Sequence, residues 1–188
     1  MKAILSTKYD SPDALRLVEV AKPIPNDDEV LVKVFAASVT FSNLGLATGK
    51  PIFIRIMAGG LIKPKPLILG SDISGLVEKV GKNVKKFRPG DQVFGYLGGN
   101  DGKKGGYAEY VCAQENALEL KPVNLTWEQA AAVPEAALVA LQAVRDDGQL
   151  RRGGSVLIYG ASGGIGTFAV QIAKAFGGEV TGVCSTKN

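Results

Sequence analysis

A closely spaced run of glycines at residues 160–166 has the residue types and the spacing needed to hold a phosphate group. A helix that begins here offers unpaired N–H groups and the positive end of its dipole to an anion such as the pyrophosphate of a dinucleotide. Side chains would block that approach, so glycine is required at defined positions. We assign Gly160 to the tight turn, Gly163 to the close approach of the ligand and Gly166 to the packing of the helix against the sheet.

The other residues of this turn complete the predicted pyrophosphate site. The Ser162 hydroxyl can donate a hydrogen bond to phosphate, and Gly164 and Ile165 begin the predicted helix. The glycine spacing, GxxGxxG, is one residue longer in its first half than the common GxGxxG pattern. A glycine-rich turn with a purely structural role is the alternative interpretation.

The turn lies between a predicted strand and a predicted helix. Ser155–Tyr159 is an apolar run typical of a buried strand, and residues 179–184 form a second one after the stop signal at Gly177 and Gly178. Between the two strands, apolar residues recur at helical spacing at Ile165, Ala169, Ile172, Ala173 and Phe176. This order predicts a βαβ unit, the context in which a glycine-rich turn indicates a dinucleotide site.

The residues after the second strand bear on the choice of cofactor. An NAD site usually places Asp or Glu there, where the carboxylate accepts a hydrogen bond from the ribose 2′-OH. Here Ser185, Thr186 and Lys187 follow the strand, without an acidic residue. Hydroxyls and a lysine suit a 2′-phosphate, so these three residues predict NADP. A solvated turn is the alternative.

The chain before about residue 124 consists of short apolar runs separated by turn residues. The predicted strands cover residues 15–20, 29–36, 73–80, 92–96 and 106–113. Residues 44–69 are apolar but irregular, and a capping-box pattern at Thr126 and Gln129 starts a helical region. We therefore predict a β-barrel domain over residues 1–124 and an α/β domain over residues 125–188.

The composition is that of a globular protein, with 46% apolar and 21% charged residues and a net charge of +4. The basic residues form no stripe with interleaved aromatic residues, which argues against a nucleic-acid partner. No apolar run reaches the roughly 18 residues of a membrane span, and the N-terminus lacks a signal-peptide pattern. We expect a cytoplasmic protein that binds neither nucleic acid nor membrane. Cys112 and Cys184 are far apart, which predicts buried free thiols.

Five stretches of the sequence carry a family resemblance. They are residues 69–75, 77–81, 87–94, 105–110 and 160–174. Together they resemble the zinc-independent quinone oxidoreductase branch of the medium-chain dehydrogenase/reductase superfamily, which is alcohol dehydrogenase-like. The resemblance implies an N-terminal GroES-like β-barrel catalytic domain, a Rossmann cofactor domain and a cleft between them.

Zinc is expected to be absent. The resemblance places a zinc-binding histidine where Ser71 stands, but the chain has no histidine and two cysteines. Neither the catalytic site nor the four-cysteine structural site of the superfamily can be formed from these residues. The resemblance then implies hydride transfer from NADPH to a small-molecule substrate, a quinone or an α,β-unsaturated carbonyl (enone), with a proton from water or a hydroxyl.

This chain departs from the family pattern at the positions that the resemblance assigns to catalysis. It has Thr40-Phe-Ser-Asn43 where relatives commonly carry Asn-Pro-x-Asp, and Val139 where they often carry threonine. We predict that Thr40 and Asn43 line the active cleft; a turn stabilised by local hydrogen bonds is the alternative. Three interpretations are open for the apolar residues 52–62. They form a wall of the substrate site, with Arg55 as an anion contact, or they pack on the barrel, or they lie in a dimer interface.

A complete doubly wound domain has about six strands, and the predicted Rossmann part contains its first βαβ unit. We therefore expect a truncated Rossmann domain with weak or no turnover, produced by a deliberate truncation, proteolysis or an early stop. A homo-oligomer, specifically a dimer, is the expected assembly. The alternative function is a non-catalytic NADPH-binding or structural protein of the same fold, which the departures at Thr40, Asn43 and Val139 favour.

Overall fold

The computed structural model describes residues 1–57, 60–62, 67–98 and 105–186. The chain forms two compact units, Met1–Ala132 and Val133–Asn188, each with its own hydrophobic core. Lys187, one of the predicted cofactor-binding residues, lies outside the described residues.

The first unit is built on antiparallel strands joined by turns. Its strands are β1 (Lys2–Ser6), β2 (Arg16–Glu19), β3 (Glu29–Ala37), β4 (Leu67–Ile68), β5 (Asp72–Val80), β6 (Gln92–Tyr96), β7 (Tyr110–Gln114) and β8 (Leu118–Leu120). A five-stranded sheet has the order β7-β3-β5-β6-β8, and a three-stranded sheet has the order β2-β1-β4. The backbone N–H of Ile4 donates to Tyr107 O at 2.8 Å, which joins the two sheets.

Aliphatic side chains from all strands of the larger sheet form the core of the first unit. Its members with less than 2% exposure are Val30, Val32, Ile73, Val77, Val93, Val111 and Leu118. Burial of one such side chain stabilises a fold by about 1.5–3 kcal/mol. The sheet is therefore held together by contacts between residues distant in sequence, such as the pairing of Val32 with Val77.

The strands agree with the sequence pattern where apolar and polar residues alternate. The predicted strand at Gln92–Tyr96 is confirmed, and the one at residues 29–36 extends to Ala37. The strand predicted from residue 106 begins at Tyr110 instead, because the N–H groups of Gly106 and Tyr107 donate to Gly70 O and Leu69 O. A Cβ atom at Gly105 would lie 2.0 Å from Ile68 O. The short strands β1, β4 and β8 were not predicted.

Three helices flank the sheets of the first unit: α1 (Phe41–Thr48), α2 (Phe53–Met57) and α3 (Trp127–Ala131). The prediction of irregular structure over residues 44–69 is wrong where α1 continues to Thr48, where α2 forms and where β4 forms. Thr40 caps this helix, and Gly49 ends it with a φ of 63°. The capping box predicted at Thr126 and Gln129 is confirmed at the start of α3.

Helix α3 is attached to the larger sheet. Ser74 Oγ donates to Trp127 O at 2.6 Å, and the Phe35 and Trp127 rings lie 4.9 Å apart. Because α3 packs on β3 and β5, the compact units divide after Ala132, later in the chain than the predicted division between residues 124 and 125.

The second unit contains α4 (Pro134–Leu141), a π-helical segment (Gln142–Asp147), β9 (Ser155–Tyr159), α5 (Gly164–Ala175) and β10 (Glu179–Val183). The strands β9 and β10 pair in parallel, with Tyr159 opposite Val183. Parallel neighbours need a crossover connection, which α5 provides. The predicted βαβ unit is therefore confirmed.

Small side chains allow α4 and α5 to pack closely. Ala169 and Ala173 of α5 are buried in a cluster with Ala140 of α4. Ile165, predicted on the buried face, is 47% exposed because it lies in the first turn, outside this cluster. The predicted stop is confirmed at Gly177, which has a φ of 79° just after the helix.

The helices of the described chain are short. The longest of them, α5, has 12 residues. No helix among residues 1–57, 60–62, 67–98 and 105–186 combines the length and the apolar character needed to cross a membrane.

Replacing Ile73, which is 0% exposed, with alanine tests the assigned core. The lost burial and the resulting cavity are expected to lower the free energy of unfolding by about 2–5 kcal/mol in urea denaturation. Ile24→Ala makes the same change at a side chain that is 81% exposed, and we expect a shift below about 0.5 kcal/mol. Equal losses at the two positions would contradict the assignment.

Candidate functional site

The glycine turn begins where β9 ends. Gly160 follows Tyr159 with a φ of 78°, a left-handed conformation that glycine adopts without strain. The N–H groups of Gly160 and Ala161 both donate to Val183 O, at 2.8 and 3.0 Å. These bonds tie the turn to the end of β10, so the ends of both strands and the start of α5 lie at one edge of the sheet.

Gly166 is the position at which the turn and the helix are closest. A Cβ atom there would lie 2.1 Å from Gly160 O, so no larger residue fits unless the helix moves. A Cβ atom at Gly163 would lie 3.3 Å from the same oxygen, and one at Gly164 would have nothing within 4 Å. The conformational roles predicted for Gly160 and Gly166 agree with this geometry. Ligand contact at Gly163 stays a prediction.

The N-terminus of α5 is open to an anion. Gly163 is its N-cap residue and provides no side-chain hydrogen bond, and the first turn contains no acidic residue. The helical hydrogen bonds start with Thr167 N, which donates to Gly163 O at 2.9 Å. The N–H groups of Gly164, Ile165 and Gly166 therefore precede the helical ladder, as at any helix start. The partial positive charge of this end is not neutralised by a side chain of the first turn.

The other predicted cofactor-binding residues lie at the same edge of the sheet. Ser162 belongs to the turn, and Ser185 and Thr186 closely follow Val183 of β10. All three are exposed. Their hydroxyls, together with the absence of an acidic residue at positions 184–186, give this edge a polar and uncharged character over its described part.

The first unit contains a group of polar side chains that we call the Asp72 cluster: Ser38, Asn43, Ser71, Asp72 and Tyr107. Ser38 Oγ donates to Asp72 Oδ2 at 2.8 Å, and Ser71 Oγ donates to the same atom at 3.4 Å. Tyr107 OH lies 3.0 Å from both Ser38 O and Asn43 Oδ1. Asn43 Nδ2 lies 3.5 Å from Ser71 Oγ. The cluster thus joins four separate segments of the chain.

Thr40 and Asn43 form a capping box at the start of α1. Thr40 Oγ1 accepts from Asn43 N at 3.3 Å, and Asn43 Oδ1 accepts from Thr40 N at 3.4 Å. The local hydrogen bonds of the alternative interpretation are therefore present. Thr40 is half-buried and Asn43 is 4% exposed, so Thr40 is the more accessible of the two. Contact of either residue with substrate stays a prediction.

Sequence reasoning missed Ser38, Asp72 and Tyr107. A signal existed for Asp72, because a carboxylate inside an apolar strand needs a specific partner when it is buried. Burial raises the pKa of the Tyr107 phenol, and the charge of Asp72 raises it further. Tyr107 therefore remains a hydrogen-bond donor at neutral pH.

Arg55 supports the chain around α2. Its Nε donates to Gly49 O at 3.1 Å, and its guanidinium carbon lies 5.0 Å from the centre of the Tyr9 ring. These internal contacts weigh against its predicted role as an anion contact. The apolar side chains around it face solvent: Ile52, Phe53, Ile56, Leu61 and Ile62. They are not packed on the barrel, which leaves a substrate wall and a subunit interface as interpretations.

No metal-binding group is found in the described part of the chain, and zinc independence stays a prediction. The described ranges contain no group of three or more His, Cys, Asp or Glu side chains placed to share a metal ion. Ser71, at the position where the resemblance expects histidine, belongs to the Asp72 cluster instead. Cys112 is buried, as predicted, whereas Cys184 is exposed, because the strand predicted to residue 184 ends at Val183.

Residues 26–123 match the family model of the alcohol dehydrogenase GroES-like domain. The chain belongs to the alcohol dehydrogenase-like family. It is 38% identical over 203 residues to the mitochondrial NAD(P)H oxidoreductase RTN4IP1 of Homo sapiens, covering 98% of this chain and 49% of that protein.

Solved structures agree with this assignment to the family. The quinone oxidoreductase from Coxiella burnetii has a TM-score of 0.89 and 34% identity, covering 100% of this chain and 57% of that one. The mycobacterial protein Rv1454c, solved in complex with NADPH, has a TM-score of 0.79 and 27% identity over 100% of this chain and 54% of that one.

The chain spans about half the length of the relatives it matches. The predicted fold, a GroES-like β-barrel domain followed by the first βαβ unit of a Rossmann domain, is confirmed. The family predicted from the five sequence stretches is confirmed as well.

Gly166→Ala and Gly164→Ala form a matched pair that tests the geometry of the turn. The first change forces the helix away from Gly160 O, and we expect a loss of about 1–3 kcal/mol in the free energy of unfolding of the second unit. The second adds a methyl group in open space, and we expect no loss, or a gain of up to about 1 kcal/mol from better helix propensity. Thermal unfolding followed by circular dichroism measures both. Equal losses would contradict the close contact at Gly166.

Proposed function

We propose that this protein is an NADPH-dependent reductase that transfers a hydride to a quinone or an α,β-unsaturated carbonyl compound without zinc. The observation that carries the proposal is the open N-terminus of α5, where a glycine-lined turn presents uncapped N–H groups without an acidic side chain. A dinucleotide pyrophosphate is the anion that such an arrangement suits.

The cofactor preference rests on the residues that follow β10. Ser185 and Thr186 can donate hydroxyl hydrogen bonds to a 2′-phosphate, and Lys187 can supply a positive charge. No carboxylate is present there to accept from a ribose 2′-OH. Two similar proteins support a nicotinamide cofactor: RTN4IP1 is named an NAD(P)H oxidoreductase, and Rv1454c was solved with NADPH.

The glycine turn fits the pyrophosphate sterically. A Cβ atom at Gly164 would meet nothing within 4 Å, so a ligand can approach the N–H groups of the first turn. Ser162 adds a hydroxyl donor at the same edge. NADPH, when bound, supplies the hydride. The chain contributes mainly orientation of the two reactants and exclusion of water, which is what hydride transfer requires of a protein.

We assign Thr40 to the substrate. Its Oγ1 accepts the N–H of Asn43 at 3.3 Å, which leaves the hydroxyl hydrogen to donate to a carbonyl or quinone oxygen. Such a bond stabilises the negative charge that develops on that oxygen as the hydride arrives. Asn43 orients Thr40 through the capping box. The proton that completes the reduction comes from water or a hydroxyl.

The exposed apolar side chains of residues 52–62 support an apolar substrate. A subunit contact is the second use for such a surface. The assembly that we propose is a homodimer in the cytoplasm, and sedimentation equilibrium of the purified protein tests its oligomeric state.

A non-catalytic NADPH-binding protein is the second candidate. Val139, which stands where relatives often carry threonine, has no hydrogen-bonding group and is 42% exposed on α4. Asn43 belongs to the Asp72 cluster and is only 4% exposed, so its side chain is not open to a ligand. Both observations reduce the number of polar side chains that are open to a substrate.

Cofactor binding and turnover test the proposal together. Fluorescence titration of the purified protein is expected to show NADPH bound at least about tenfold more tightly than NADH, a difference of ~1.4 kcal/mol. Oxidation of NADPH, followed by its absorbance, is expected with a quinone or an enone. Equal affinities for the two cofactors would contradict the NADP assignment, and binding without oxidation of either acceptor would favour the second candidate.

Ser185→Asp tests the same assignment by substitution. A carboxylate at this position repels a 2′-phosphate and accepts from a ribose 2′-OH, so NADPH affinity is expected to fall about tenfold or more while NADH affinity is kept or improved. Ser185→Ala is the control, since it removes the hydroxyl without adding charge, and its effect is expected to be smaller. If Ser185→Asp leaves the NADPH to NADH ratio unchanged, residue 185 does not face the 2′ position.

A further inference from the structure

The hydrogen bonds of the Asp72 cluster have a fixed direction. Asp72 is 2% exposed, and a carboxylate at neutral pH can only accept hydrogen bonds. Ser38 Oγ and Ser71 Oγ both donate to its Oδ2, at 2.8 and 3.4 Å. The carboxylate therefore determines where both hydroxyl hydrogens point.

The orientation of the Ser71 hydroxyl in turn determines the orientation of the Asn43 side-chain amide. Because the Ser71 hydrogen is directed at Asp72, the Ser71 oxygen accepts from Asn43 Nδ2 at 3.5 Å. The amide of Asn43 is thereby oriented with its nitrogen toward Ser71 and its oxygen toward the opposite side. There Asn43 Oδ1 accepts from Tyr107 OH at 3.0 Å and from Thr40 N at 3.4 Å.

The orientation of this amide decides whether the capping box can form. The opposite orientation would place the Asn43 NH₂ group against the Thr40 N–H, so that two donors would face each other. With the observed orientation, Asn43 Oδ1 accepts from Thr40 N at 3.4 Å, whereas Thr40 Oγ1 accepts from the backbone N–H of Asn43 whatever the orientation of the amide. The single hydroxyl hydrogen of Tyr107 is shared between two acceptors, Asn43 Oδ1 and Ser38 O, each 3.0 Å from its oxygen.

We propose that Asp72 is a positioning residue: acting through Ser71 and Asn43, it holds the backbone N–H of Thr40 at the start of α1 and so places the Thr40 hydroxyl, which donates its hydrogen to the substrate. Tyr107 holds the same amide from its other side. This inference rests on the proposed function, in which that hydrogen meets the substrate oxygen. The inference accounts for the burial of a carboxylate at this position. Without hydrogen bonds, the desolvation of such a group costs several kcal/mol.

Ser71→Ala tests the link between Asp72 and Asn43, and Ser74→Ala is its matched control. Both serines are buried and adjoin or belong to β5, but Ser74 donates to Trp127 O, outside the cluster. In the purified protein with NADPH and a quinone, Ser71→Ala is expected to lower kcat roughly tenfold to a hundredfold, as misplacement of a reacting group does. The Kd for NADPH is expected to stay the same. Ser74→Ala is expected to lower stability while kcat is kept.

A conservative variant and a double variant complete the test. Ser71→Thr retains the hydroxyl and is expected to restore most of kcat. Asp72→Asn is expected to lower kcat, because its amide introduces donors where both serine hydroxyls need an acceptor. The double variant Ser71→Ala/Asp72→Asn is expected to lose no more kcat than the stronger single variant, since the two residues act in series.

The outcomes separate this inference from the proposed function. If the unmodified protein oxidises NADPH, but Ser71→Ala and Ser74→Ala have equal kcat values, the positioning role is wrong and the proposed function stands. Losses at Ser71 and Asp72 that add fully would also overturn the serial arrangement. If the unmodified protein binds NADPH but reduces no acceptor, the proposed function itself is wrong, and with it the positioning role.

Discussion

The second unit depends on the close contact between Gly166 and the carbonyl oxygen of Gly160. Because residue 166 lacks a side chain, the first turn of α5 packs directly on the end of β9, where a Cβ atom would lie 2.1 Å from that oxygen. The same contact brings the uncapped N–H groups of the helix to the edge where both parallel strands end. One steric condition therefore determines both the packing of the βαβ unit and the position of its anion-binding end.

The first unit depends in a comparable way on a buried acceptor. Asp72 lies beside an apolar core and receives hydrogen bonds from side chains that sheet pairing brings together. Desolvation of a carboxylate opposes folding, so its hydrogen bonds must be made with correct direction as well as distance. Ser38 and Ser71 meet that requirement, and Ser71 Oγ in turn lies 3.5 Å from Asn43 Nδ2. At the position where zinc-dependent relatives are expected to bind metal through histidine, this chain instead has a serine that belongs to a hydrogen-bonded network.

Periodic features of the sequence predicted the parts of the fold that local interactions control. The alternation in β6, the capping box at Thr126 and the glycine stop after α5 each depend on a few neighbouring residues. The glycine turn was predictable for the same reason, since its strand, turn and helix are contiguous. Helix α1 was missed because the sequence before Gly49 shows no clear amphipathic pattern.

The Asp72 cluster could not be predicted from spacing. Its side chains come from segments as far apart as Ser38 and Tyr107, and they meet because β3 pairs with β5, placing Ala37 opposite Ile73. The predicted candidates Thr40 and Asn43 were found by resemblance, but their difference in accessibility depends on tertiary burial. The same holds for the start of β7, because Gly106 and Tyr107 donate their backbone N–H groups to Gly70 O and Leu69 O, which are distant in the sequence.

The central claim is that the N-terminus of α5 holds the cofactor pyrophosphate, and the backbone amides of that turn report on it directly. Two-dimensional ¹H–¹⁵N spectra recorded during titration with NADPH measure each amide separately. We predict that the amide signals of Gly163, Gly164 and Ile165 shift most, in proportion to bound cofactor, and that inorganic pyrophosphate shifts the same signals. NADPH binding that leaves these three signals in place and shifts amides elsewhere would contradict the account.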